Sequence, residues 1–269
     1  MLAPLDTTCP AIKAQPNPDD RLHQEKTDDF DILMMLGFDS QNRRDCAMGA
    51  ITSTFGLSYF CLFVLQFLLF HFPSSQDAII GALAVIFFGA GVILWCLSSL
   101  FSCIFGTFQS GNRAEWQRIE FGGGLFLIWT ATLPTIVFLF PNQPCLQLGY
   151  LCAFTVFAVG NMLDFLFGDP LLSASSIKFP YYCASLGLLS LVPTMHALAA
   201  PTQSVSPLAV EFGQMVMANI LGATLYLLRP LERLARVQGW RPSVHTMRLV
   251  VIYSLVAYSK AVMQAALRY

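Results

Sequence analysis

Three carboxylates stand inside long apolar runs of this chain: Glu120, Asp164 and Glu211. A carboxyl group in lipid-like surroundings costs several kcal/mol in order of magnitude unless it is partnered, which makes each a functional candidate. Burial favours its protonated form, the form a general acid needs. Each has a plainer reading beside this one. Glu120 could pair with Arg118 or sit at a helix start, where the dipole favours an anion. Glu211 could be a snorkelled or capping carboxylate near an interface, and Asp164 lies about one turn inside its run. Trp95 and Trp129, with His196, could line a cavity whose aromatic faces stabilise a cation; equally, they could be core or interfacial residues. Cys103, Glu120 and His245 offer a sulfur, a carboxylate and an imidazole, a set that zinc accepts, although no short spacing links them. His196 and His245 could instead simply hydrogen-bond neighbouring helices. The remaining cysteines are scattered without a CxxC pair, which reads as small core hydrophobes.

The elements that must position these groups follow from composition. Of 269 residues, 55% are hydrophobic and only 12% charged, too apolar for an ordinary soluble domain. The net charge of −1 gives no electrostatic basis for nucleic-acid binding. Residues 1–46 read as a soluble N-terminal tail: polar, acidic, with Pro10, Pro16 and Pro18 opposing a helix, no signal-peptide h-region, and one short apolar patch at Phe30–Phe38. Residues 47–269 read as a membrane domain of seven transmembrane helices. The expected spans are Ala47–Phe72, Ala78–Phe101, Ile119–Leu139, Leu146–Phe167, Phe179–Ala200, Leu208–Leu228 and Val244–Leu267. Each is long enough for a hydrocarbon layer of about 30 Å, and continuous apolarity excludes barrel strands. Pro134 and Pro193 should kink the third and fifth spans, and Gly122 to Gly124 should allow close helix packing.

Arginines and lysine mark alternate connections. Arg43 and Arg44 precede the first span, Arg113 and Arg118 follow the second, Lys178 follows the fourth, and Arg229, Arg233, Arg236 and Arg241 follow the sixth. The other connections carry none, and Asp77 and Asp169 read as solvated loop residues. The positive-inside rule then places the N-terminus in the cytoplasm.

Several stretches, in order, carry a resemblance. WCLSSLFSCIFGTF, RIEFGGGLFLIWTATLPTIVFLF, LGLLSLVPTMHAL and the entry LMMLGF resemble the second span, third span, fifth span and pre-span segment of the haemolysin III and adiponectin/progestin receptor superfamily. The likeness covers about residues 30–269. It implies a metal site built from a histidine ending the second span, an aspartate opening the third and a His-x3-His pair in the seventh. Here Cys103 and Glu120 fall at the first two places, with Ser99 at the motif serine; a one-residue shift uses Ser102 and Ser98. In the seventh span either His245 and Leu249 or Ser243 and Met247 fall at the pair, so the histidine pair is broken.

The resemblance also extends to a divergent fungal branch, the membrane terpene cyclases of meroterpenoid pathways. These protonate a terminal epoxide on a prenyl chain and need no metal. The expectation is therefore a membrane cyclase, resident in the endoplasmic reticulum, acting without cofactor on an epoxidised farnesyl-type lipid. Glu120, Asp164 and Glu211 are its candidate acids. The alternative is a receptor or zinc-dependent lipid hydrolase with Cys103, Glu120 and His245 as substitute ligands. A transporter is disfavoured, because the spans show no inverted repeat.

Overall fold

The computed structural model describes residues 46–72, 79–108, 113–167, 178–199, 207–228, 230–231 and 242–268. Within them lie seven helices long and apolar enough to cross a membrane. They are α1 (Cys46–Phe70), α2 (Ile79–Phe108), α3 (Arg113–Leu139), α4 (Pro144–Phe167), α5 (Lys178–Ala199), α6 (Pro207–Leu228) and α7 (Pro242–Ala266). A helix is the economical answer for such runs, since it satisfies its own backbone where water is absent. Large apolar side chains cover the outer surface; Phe70, Val156, Phe167 and Tyr253 are 75%, 73%, 80% and 77% exposed. In water such a surface would be an aggregation liability; against lipid tails it carries no penalty.

The expected spans and the helices agree closely except at one connection. The second helix runs on from Phe101 to Phe108, and the third begins at Arg113 rather than Ile119. Arg113 and Arg118 are therefore helical, not loop residues. At 30 residues α2 is roughly 45 Å long, which carries its end beyond a 30 Å hydrocarbon layer. The tail with its Phe30–Phe38 patch, Arg43, Arg44, Asp77, Asp169, Arg229, Arg233, Arg236 and Arg241 lie outside the described residues.

Helix α3 is the centre of the bundle, packing against α2, α4, α5, α6 and α7. It borders two apolar clusters. The larger joins α1, α2, α3, α6 and α7 around Phe60, Phe88, Phe212 and Tyr258. The smaller joins α3, α4 and α5 around Leu125, Phe154, Phe165, Tyr182 and Leu186. The three consecutive glycines serve this central role by admitting a different neighbour each. A Cβ at Gly122 would lie 3.0 Å from Leu166 of α4, at Gly123 2.5 Å from Ser98 of α2, and at Gly124 3.4 Å from Phe179 of α5.

Pro134 lies inside α3, which runs on past it as one helix, and α7 docks beside that turn. A proline lacks the N–H of its turn and loosens the ladder there. Tyr258 of α7, fully buried, donates its hydroxyl to the Ala131 carbonyl at 3.0 Å. The Thr135 hydroxyl lies 2.6 Å from the Tyr258 hydroxyl oxygen. With the tyrosine proton committed to Ala131, Thr135 is the donor of that second bond. Further polar contacts, Tyr59–Ser259 at 3.2 Å and Ser254–Asn219 at 3.3 Å, tie α7 to α1 and α6.

Candidate functional site

The candidate groups gather chiefly at one end of the bundle, where α1, α3, α5 and α7 begin and α2 and α4 end. Its buried part is built on α7. The inward face of α7 repeats at three- and four-residue intervals through His245, Arg248, Ile252, Leu255, Ser259 and Val262, all buried. That periodicity delivers an arginine into the core one turn below the helix start. The Arg248 guanidinium forms an ion pair with Glu120 of α3 through Nη2 and Oε1. The two side chains are only 11% and 13% exposed. Nη1 of the same guanidinium donates to Cys103 Sγ of α2 at 3.7 Å. Ser99, one turn before Cys103, donates its hydroxyl to Glu120 Oε1 at 2.9 Å. The start of α1 closes the group: the Cys46 thiol donates to the Cys103 carbonyl at 2.7 Å. Gly49 leaves the guanidinium its space, since a Cβ there would collide with Arg248 Nη1 and lie 2.7 Å from Cys103 Sγ.

Glu120 is thus an acceptor for a cation and a hydroxyl. It is the eighth residue of α3, beyond the helix start, and its ion-pair partner comes from the seventh helix. Arg118 reaches elsewhere as well, donating through Nε to the Phe165 carbonyl near the end of α4 at 3.3 Å, the favourable place for a cation at a helix C-terminus.

Asp164 shares this end of the bundle but not this burial. It is exposed near the end of α4, and the hydroxyl of buried Tyr182 on α5 donates to its Oδ2. Aromatic rings surround the tyrosine: Phe165 lies edge-on to it at 6.2 Å, and Phe121 stacks on Phe179 at 4.2 Å just beyond. Glu211 is remote from both groups, half-buried as the fifth residue of α6 and therefore past its first turn. His196 is also at the opposite end, exposed, with Nδ1 2.7 Å from the Tyr150 hydroxyl and Phe140 alongside. Trp95 is buried in the larger cluster facing Gly124. Trp129 donates its indole N–H to Thr155 of α4 at 3.2 Å. Both tryptophans are placed in helix–helix packing.

The structure brings Cys103 and Glu120 together, as the expected metal set requires, and adds a side chain that set did not include. Arg248 already occupies both with hydrogen bonds. Among the described residues, no group of three His, Cys, Asp or Glu side chains is arranged to hold a metal ion. The donor chemistry agrees. Two unit charges 4 Å apart repel by roughly 4 kcal/mol at an effective dielectric of about 20, and a dication beside the guanidinium would double that. These residues do not fit zinc while Arg248 stands among them. Arg248 was legible in principle, as a cation within the apolar seventh run one turn after His245.

Comparison with known proteins adds no name to this arrangement: no protein-family model matches the chain, and no curated protein matches it significantly.

Proposed function

We propose that the chain is a metal-independent, receptor-like relative of the haemolysin III and adiponectin/progestin receptor superfamily, rather than a zinc hydrolase. One observation carries this reading: Arg248 presents a fixed positive charge to Cys103 and Glu120, the two side chains at positions of resemblance to metal ligands. A guanidinium supplies the charge a metal would supply to the carboxylate. It cannot polarise a carbonyl by coordination or activate a bound water, the steps a metallohydrolase needs. The basic connections support an N-terminus in the cytoplasm, which would put the Glu120–Arg248 end on that side. The test is elemental analysis of the full chain purified without chelator, together with an amide-lipid hydrolysis assay. The reading expects zinc far below one equivalent and no hydrolysis. Stoichiometric zinc lost in Glu120→Gln, with hydrolysis, would overturn it.

A second reading is favoured by the Asp164–Tyr182 hydrogen bond. In a membrane cyclase working on an epoxidised prenyl lipid, Asp164 would be the acid, open to the lipid side and backed by aromatic rings. Tyr182 occupies Oδ2, so the transferable proton would sit on Oδ1. Passing it to the epoxide oxygen breaks a C–O bond. The alkene then attacks the resulting cation to form the ring bond, and loss of a proton ends the sequence. Glu120, engaged by Arg248, is the least available of the three acids, and Glu211 lies at the other end. Microsomes fed an epoxy-farnesyl aromatic substrate decide this reading. Cyclised product that disappears in Asp164→Asn supports it; equal turnover in Asp164→Asn sinks the assignment.

A further inference from the structure

The Glu120–Arg248 group has a second chemical feature, independent of either functional reading: two thiols meet where α1 starts and α2 ends. Both Cys46 and Cys103 are reduced and half-buried. The Cys46 thiol rests on the Cys103 carbonyl at 2.7 Å. Adding ordinary bond lengths on either side of this contact places the two Cα atoms within about 8 Å. A disulfide needs roughly 4.4–6.8 Å, so a rotamer change with a small shift of the first turn of α1 suffices. Gly49 is three residues after Cys46, on the same helix face, and the position its Cβ would take is 2.7 Å from Cys103 Sγ. Cys103 Sγ therefore leans against the face of α1 that carries Cys46. Cys61 and Cys96 also neighbour each other, with Cys96 buried, whereas Cys46 and Cys103 are both half-buried and share a hydrogen bond.

We propose that Cys46 and Cys103 are a redox-active dithiol, a modification site that closes to a disulfide under a hydroperoxide and clips α1 to α2 beside the buried ion pair. One thiol is oxidised to a sulfenic acid as the peroxide O–O bond breaks and the peroxide is reduced to an alcohol or water. The second thiol attacks that sulfur, the S–S bond forms and water leaves. Two thiols lose two electrons and two protons in all, and a reducing thiol reverses the step by exchange. Closure engages Cys103 Sγ, which now accepts from Arg248 Nη1, so the guanidinium is left to Glu120.

The experiment is differential alkylation with non-reducing peptide mapping on the full chain in lipid nanodiscs, before and after cumene hydroperoxide and then dithiothreitol. The expected result is a cross-linked peptide joining Cys46 to Cys103, equal loss of labelling at both, and full recovery on reduction. Cys61, Cys145 and Cys152, all exposed, serve as accessibility controls. Oxidation of Cys103 to the sulfinic acid without a cross-link would overturn the proposal. So would loss of one thiol without the other, or unchanged labelling of both. In Cys46→Ser the cross-link should vanish while the protein remains folded by its unfolding curve. A wild-type cross-link from Cys103 to any other cysteine would also overturn it, and that readout requires no variant to fold.

Discussion

Two carboxylates at the same end of the bundle have opposite surroundings. Glu120 is on α3, which packs against α2, α4, α5, α6 and α7, and its carboxylate is almost wholly enclosed with a guanidinium and a hydroxyl for partners. Asp164 is on peripheral α4, exposed, with a single phenol donating to it. The difference follows from which helix each residue rides. A charge on the central helix has no route to the interface and must be neutralised within the protein. A charge near the end of an outer helix keeps access to headgroups and water and needs little from its neighbours. Glu120 is accordingly held by its partners, and Asp164 keeps an open side beside the Tyr182 hydroxyl.

Breaking this contrast should have graded effects. The largest belongs to the enclosed pair. Glu120→Ala or Arg248→Ala strands the opposite charge and should lower stability by about 3–5 kcal/mol, measured as unfolding free energy by SDS titration. Tyr258→Phe removes a buried hydroxyl that meets Ala131 and Thr135, and should cost about 1–3 kcal/mol in the same titration. Gly49→Ala pushes a methyl group into the guanidinium's space and should cost about 1–3 kcal/mol; its loss should shrink when Arg248 is also replaced by Met. Asp164→Asn should change stability least, by about 0.5 kcal/mol or less. An Asp164→Asn loss as large as that of Glu120→Ala would erase the distinction between the two regions.

The sequence made the helices easy to read and the ion pair hard. Continuous apolar runs place seven helices within a few residues of where they lie, because length and apolarity alone decide what can span lipid. The Gly122–Gly124 expectation also matches, since three glycines in a row leave room for three different neighbours. The end of α2 and the start of α3 lie outside the expected bounds because polarity alone does not end a helix. GTF and RAEWQR continue the helices beyond the apolar layer, where water tolerates them. Of the expected metal set, Cys103 and Glu120 do meet. Arg248, their partner, stands in the seventh run. The stripe of His245, Arg248, Ile252 and Leu255 was sufficient to show that this arginine faces inward. What no spacing could supply is which of several inward polar groups from distant helices share a depth; that is settled by helix packing.

The account rests on Arg248 and Glu120 acting as one internal neutral unit, and a double-mutant cycle tests this most directly. Glu120→Met and Arg248→Met are made singly and together, and unfolding free energies are compared in one detergent. If the pair is a unit, each single variant loses several kcal/mol. The double variant, an apolar replacement of similar volume, returns close to the parent. Losses that simply add in the double variant would contradict the account.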